Sequence, residues 1–366
     1  MFEFKIRSYQ EGDEEEIVEL LDEAFGGWTK ANLSCSKVDY WRWKYLDNPN
    51  ESIITVALLE NQIIGLNCQS IVPLQIGNLK TRGCYSADLA VKKEYRRQGV
   101  SKKLNITAKE RMDKQKIDYL YFVTQNPVVL ESYIQSYHIF PIPIINMARI
   151  RDVDLQLKHM PMDRAWLMKI GYRALRLANL STKIINQQSN DVEIKEISKF
   201  SSSINKIIMK NKDCKFLVNN GEDYLNWRYC DYRAGEHKIF LAVENGNPLG
   251  YIIIRINRYI EEYPIAYIMD LLTIPEKVSI ADPLLKSALK HLDSQDINLV
   301  TCMVPKGHPY ERIYNSHGFI DSRINLHLFT NLNEKNKEHL LEGIKPSEAH
   351  FCHGSIDSLP ISLPRA

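Results

Sequence analysis

The sequence predicts an α/β (α+β) chain built from two copies of one fold in tandem, and three observations lead there. Residues 84–123 read as strand, small-residue turn, helix and strand; an aromatic segment recurs at a constant offset of 184 residues; and 366 residues at 44% hydrophobic composition are enough to bury two cores of ordinary domain size.

The first unit begins in Cys84–Ser101, CYSADLAVKKEYRRQGVS, where an apolar strand enters a glycine-containing turn and then a basic helix. The first turn of a helix carries N–H groups with no intrahelical partner, and its dipole favours negative charge. A turn free of obstructing side chains, here Arg96, Arg97, Gln98, Gly99, Val100 and Ser101, can therefore hold a pyrophosphate. Val100, Leu104, Ala108 and Met112 recur every four residues, with Lys102, Lys103, Lys109, Arg111, Lys114 and Lys116 between them, which predicts an amphipathic helix packed on a sheet. Tyr119–Val123 is short, aromatic and β-branched, hence a strand, and Asn126-Pro127 stops it.

The second unit is seen through the repeat. Asp39-Tyr40-Trp41-Arg42-Trp43-Lys44-Tyr45-Leu46-Asp47 returns as Asp223-Tyr224-Leu225-Asn226-Trp227-Arg228-Tyr229-Cys230-Asp231. Ala57 and Gly65 answer to Ala242 and Gly250, and Asp88–Glu94 answers to Asp270–Glu276. Because the aromatic residues Trp41, Trp43, Tyr45, Trp227 and Tyr229 occur in both copies, they are read mainly as core, with an acceptor-side role as the alternative. The divisions expected are residues 1–150, 151–190 as a helical connector, 191–330, and 331–366 as a tail with a helix near Glu334–Glu342 followed by irregular chain. Asp163–Leu180 in the connector is basic and amphipathic, and is read as packing across the two units rather than lying on a membrane.

Charge and cysteines narrow the function. A net charge of +2 gives no global field for nucleic acid, and the local basic excess between Lys92 and Lys116 suits a small polyanion. Seven scattered cysteines form no CxxC pair, so neither a zinc site, another metal centre nor a disulfide framework is expected. No histidine pairs with a cysteine or carboxylate at a telling spacing, and all are read as structural. An acidic N-terminus in place of a signal sequence, and no long apolar run, predict a cytoplasmic protein without stable membrane insertion.

The turn Arg96-x-x-Gly99-x-Ser101 resembles the acetyl-CoA-binding motif of the GNAT acyltransferase superfamily, Arg or Gln, two residues, Gly, one residue, Gly or Ala; Ser in the last position departs from it but is still small. The resemblance implies that each copy is a mixed, mostly antiparallel central sheet flanked by helices, with acyl-CoA wedged where the fourth and fifth strands splay. It implies further that the backbone of Leu89, Ala90 and Val91 pairs with the pantetheine arm, one N–H polarising the thioester carbonyl. The amides from Gln98 to Lys103, those of Gly99, Val100, Ser101 and Lys102 among them, would hold the pyrophosphate, with one of Arg96 and Arg97 reaching a phosphate. Tyr133 falls at the place of the family's general acid, Tyr137 one helical turn later is its rival, and a phenol is well matched to a departing thiolate. Asp88 is the candidate base, acting through a water, although its counterpart Asp270 argues for a role in the fold. Asn126 either caps the following helix or contacts the cofactor.

The second copy reads Lys277-Val278-Ser279-Ile280-Ala281-Asp282-Pro283 where the turn should be, with no glycine and with an acid at the phosphate position. It is therefore expected to bind no CoA, although it keeps the family-like Tyr314 and Gly318-Phe319. The expectation is an acetyl-CoA-dependent N-acetyltransferase, or one using another acyl-CoA, for a small primary amine. An amino sugar of a surface-polysaccharide pathway is one such acceptor. The alternatives are a FemABX-like aminoacyl transferase and a non-catalytic acyl-CoA-binding module; acceptor identity and oligomeric state are left open.

Overall fold

The computed structural model describes residues 3–124, 130–131, 137–151, 156, 192–218, 221–332 and 338–356. The connector helix near Asp163–Leu180, Asn126, Tyr133 and the first residues of the tail helix lie outside them. In chain order the strands are β1 (Lys5–Ser8), β2 (Ser52–Leu59), β3 (Gln62–Ile76), β4 (Leu79–Val91), β5 (Tyr119–Thr124), β6 (His138–Ile139), β7 (Ile144–Ile150), β8 (Val192–Ile197), β9 (Phe216–Val218), β10 (His237–Glu244), β11 (Asn247–Asn257), β12 (Ile265–Thr273), β13 (Leu299–Pro305) and β14 (Ile320–Leu332). The helices are α1 (Glu14–Phe25), α2 (Lys37–Tyr45), α3 (Val100–Lys114), α4 (Asn205–Lys210), α5 (Glu222–Cys230), α6 (Ala281–Asp293) and α7 (Pro309–Ser316).

The mixed, mostly antiparallel sheets expected of a tandem GNAT fold are present, joined into one. Strand order runs β1-β2-β3-β4-β5-β14-β7-β13-β12-β11-β10-β8, with β4–β5 and β12–β13 the parallel pairs among the strands on this path. The join is an exchange of strands. β7, from the first half of the chain, pairs antiparallel with β13 of the second half, while β14, near the end of the chain, pairs with β5 of the first. A strand lent to the neighbouring sheet removes an open edge on both sides, and open edges are liabilities.

Each half carries a long helix on its sheet. The four-residue rhythm of α3 buries Val100, Leu104, Ala108 and Met112, as the pattern predicts. Gly65 on β3 lets α3 sit close, because a Cβ there would stand 3.0 Å from a Val100 methyl carbon. In the second half α6 buries Leu284, Leu285, Ala288, Leu289 and Leu292 against β10–β12.

The tail is where the sequence misleads. Of the helix expected near Glu334–Glu342, residues 338–341 are a 3-10 turn; 346–348 and 353–355 are further 3-10 turns, Ala349, Phe351 and Ile356 are buried in a core that both halves supply, and His353 packs edge-on against Tyr267. Apolar residues spaced without helical or strand period give no local signal; long-range packing alone places them. Among the described residues no helix is long and apolar enough to span a membrane.

Candidate active site

The turn before α3 is built on two left-handed residues, Arg97 at φ 62° and Gly99 at φ 82°. Gly99 pays little for that conformation, and nothing lies within 4 Å of where its Cβ would be, so the surface over the turn is open. The first backbone bond into the helix runs from the Lys103 N–H to the Gly99 carbonyl at 3.0 Å. Among the described residues none accepts a hydrogen bond from the amides of Gln98, Gly99, Val100, Ser101 or Lys102. Arg96 is tied back, its Nε donating to the Val91 carbonyl at 3.0 Å; Gln98 Nε2 donates to the Glu94 carbonyl at 2.8 Å; Arg97 is exposed.

Beside this turn the sheet opens. β5 pairs with β4 only from Gly83–Tyr119 to Tyr85–Tyr121, so β4 runs on to Val91 with β3 as its partner. The Lys92 N–H donates to the Ile64 carbonyl at 3.0 Å, which fixes the alternation of an antiparallel ladder. By that alternation Ala90 directs its polar groups to Leu66, whereas Leu89 and Val91 direct theirs to the vacated edge. Of the three backbone positions implied for pantetheine, two therefore face the opening and Ala90 does not.

β4 also carries a bulge: Cys68 pairs with Asp88 and Gln69 with Ser86, leaving Ala87 as the extra residue. β12 has the same device, where Ile253 pairs with Asp270 and Ile254 with Ile268, leaving Met269. Ala87, Asp88 and Met269 all line one cavity of about 620 Å³ that takes its walls from both halves. This volume is in the range of small-molecule sites.

The aromatic repeat meets itself at that cavity. Trp43 Nε1 donates to the Trp227 carbonyl and Trp227 Nε1 to the Trp43 carbonyl, both at 3.1 Å, and the two rings stack at 5.3 Å. Trp41, Trp43 and Tyr45 are 0–1% exposed, so the reading as core holds for them, while Trp43 also forms cavity wall. Such a stacked pair contributes roughly 0.5–1.5 kcal/mol beyond the area it buries.

The two related aspartates have different surroundings. Asp88 lines the cavity; its Oδ2 accepts from Lys44 Nζ at 2.9 Å and from the Tyr45 hydroxyl, and its Oδ1 has no partner among the described residues. Asp270 is wholly buried and accepts from the Tyr251 hydroxyl at 2.9 Å, His350 Nε2 at 2.9 Å and Cys352 Sγ at 3.4 Å. His350 and His317 thus do pair with carboxylates, Asp270 and Asp282, across 80 and 35 residues, too far apart in the chain for spacing to reveal. The Asp270, His350 and Cys352 donor atoms lie within 4.8 Å of one another, and their mutual hydrogen bonds satisfy them.

Where the second copy lacks a glycine turn, Asp282 fills the first turn of α6, with His317 Nε2 at 2.8 Å and Lys286 Nζ at 2.9 Å. His317, followed by Lys286, holds its carboxyl down at about 2 against the opposing effect of burial. Of the remaining candidates, Tyr137 packs edge-on against Phe122 at 5.2 Å. Sequence reading missed the buried cations of the cavity, Lys44, Arg228 and Arg255. A signal existed for two of them, since Lys44 and Arg228 occupy the same place in the aromatic repeat.

Comparisons with known proteins agree with this architecture. Residues 5–133 match the family profile described as an acetyltransferase (GNAT) domain. No curated protein is matched by sequence. A GCN5-related N-acetyltransferase from Anabaena variabilis is similar in structure at TM-score 0.61 and 14% identity, over 91% of this chain and 73% of that one. A tandem GNAT protein from the clavulanic acid biosynthesis pathway is similar at TM-score 0.57 and 13% identity, over 91% of this chain and 99% of its own. N-myristoyltransferase of Saccharomyces cerevisiae, solved with bound myristoyl-CoA, is similar at TM-score 0.59 and 9% identity, over 90% and 79%. The strand, open turn and helix at residues 84–114 lie inside the stretch that matches the acetyltransferase (GNAT) domain profile, and the doubled fold is the one shared with these structures.

Proposed function

We propose that the chain is an acetyl-CoA-dependent N-acyltransferase acting on a small primary amine, with residues 1–150 as its acyl-CoA-binding unit, and that it works in the cytoplasm. One observation carries this reading: amides at Gln98–Lys102 and an edge of β4, both without partners among the described residues, stand side by side, and that edge leads to Asp88 at the cavity. The donor set fits acyl-CoA, since main-chain N–H groups suit a pyrophosphate and a free strand edge suits a pantetheine amide. Acyl-CoA brings the thioester. The protein's part is chiefly to hold the two reactants together, which can remove roughly 7 to 11 kcal/mol of barrier.

In this reading the amine attacks the thioester carbonyl, a C–N bond forms and the C–S bond breaks. Asp88 Oδ1 takes the amine proton through a water, its other oxygen being held by Lys44 and Tyr45. The Leu89 or Val91 N–H faces the developing oxyanion, and Tyr133 or Tyr137 returns a proton to the thiolate. The second half binds no CoA and supplies the far wall of the acceptor site, Arg228, Tyr229 and Arg255. An amino sugar of a surface-polysaccharide pathway is one acceptor that fits. The test is release of free thiol from acetyl-CoA with a panel of small amines: saturable release supports the proposal, and tight acetyl-CoA binding without release from any amine supports the non-catalytic alternative.

A further inference from the structure

The acceptor cavity is cationic beyond what its own carboxylate offsets. Lys44, Arg228 and Arg255 line it and are 3%, 6% and 5% exposed, and Asp88 is the single carboxylate among the described lining residues. Asp88 is taken up by Lys44 and Tyr45. Arg228 donates from Nη2 to the Ile356 carbonyl at 3.1 Å. Arg255 has both Nε and Nη2 buried with no hydrogen-bond partner among the described residues.

The Arg255 guanidinium is also held in place. It stands on β11 between His237 of β10 and Tyr267 of β12 in the strand register. Gly235, at φ 94°, makes room for it: a Cβ there would be 2.6 Å from Nη2. Tyr40 is its foremost neighbour and shares a side-chain hydrogen bond with the guanidinium, which leaves Nε and Nη2 unanswered; Arg228, a like charge, comes next, with Tyr267 nearby. His237, facing both arginines, is pushed far below its ordinary value by burial, then by Arg255 and Arg228, and so stays neutral and adds no charge of either sign. Burying a guanidinium with donors unpaired is costly unless an anion completes the site, and a planar fork of donors suits a carboxylate or phosphate.

We propose that the acceptor amine carries an anionic group, a carboxylate or a phosphate monoester, which seats on Arg255 with Arg228 beside it while the amine is presented to Asp88. This deepens the acyl-transfer reading and rests on it for the reaction, but not for the binding. The cavity volume restricts the class to small acidic amines, so a neutral hexosamine is a poor acceptor and its phosphate ester a better one.

The test uses matched pairs on the intact chain, alanine against alaninamide and glucosamine 6-phosphate against glucosamine. The pair that responds tells carboxylate from phosphate. Expected in thiol release is at least about a 30-fold higher kcat/KM for the anionic member of one pair, carried by KM. Arg255→Met should erase that preference while leaving the acetyl-CoA-induced rise in Tm unchanged. Calorimetric titration of the same pairs, and a Tm rise with inorganic phosphate, read the anion preference even where no thiol is released, so failure of the reaction and failure of this inference are told apart. The wild-type comparison does not depend on the variant folding. No preference for the anionic member in wild-type turnover or titration, together with no phosphate response, overturns the inference, as does an equal loss for both members in Arg255→Met.

Discussion

Asp88 and Asp270 are the same residue of the repeat put to different uses, and their substitution should separate chemistry from stability. Asp88→Asn removes a proton acceptor at the cavity, so kcat/KM should fall by about 10²- to 10⁴-fold with the fold retained, as thiol release and a thermal melt would show. Asp270→Asn leaves three buried donors poorly answered and should cost about 2–4 kcal/mol in denaturant unfolding. A stable but inactive Asp270→Asn would contradict this division. Asp282 gives a pH signature. Its folded value, near 2, lies below the unfolded carboxylate value of about 3.9, so the stability it contributes is full above about pH 4 and is lost as pH falls toward 2. Unfolding midpoints measured from pH 5 to 2 should therefore fall more steeply in wild type than in Asp282→Asn; parallel curves would refute the assignment.

At the scale of single elements, the turn into α3 and the turn into α6 are the informative pair. Gly99→Glu places a negative side chain over the open amides and forces a left-handed φ on a residue with a Cβ, so the Tm rise caused by acetyl-CoA should vanish. Ser279→Glu, at the exposed turn of the second copy, should leave that rise intact. Equal sensitivity at the two positions would mean that both copies bind. The α3 segment was legible in the sequence because its apolar residues repeat with the helix period and its turn carries a glycine where φ is positive. α2 was legible through its recurrence as α5, since no hydrophobic stripe marks it: Tyr40, Trp41, Trp43, Lys44 and Tyr45 are buried on several sides at once. The residues at 341–356 were not legible, because they fill a core shared by both halves one by one from an irregular chain.

At the scale of the molecule, the exchanged strands tie the halves together. Residues 1–150 contain β7, whose strand partners β13 and β14 come from the second half, and β5 loses its antiparallel neighbour without β14. Expressed alone, residues 1–150 should give no cooperative melt, whereas the full chain should unfold in one transition. Two independent transitions, each reproduced by a half, would sink that expectation. The sequence by itself determined the GNAT-like segment of the first half, the doubling and the single glycine turn, since these rest on local period, on a constant offset within one chain and on a residue that must turn left-handed. The tertiary structure alone decided which strands pair across the halves, that Asp270 meets His350 and Cys352, and that Lys44, Arg228 and Arg255 share one cavity. Those contacts include residues more than two hundred positions apart, and no local propensity encodes a meeting that only the closing of a common core brings about.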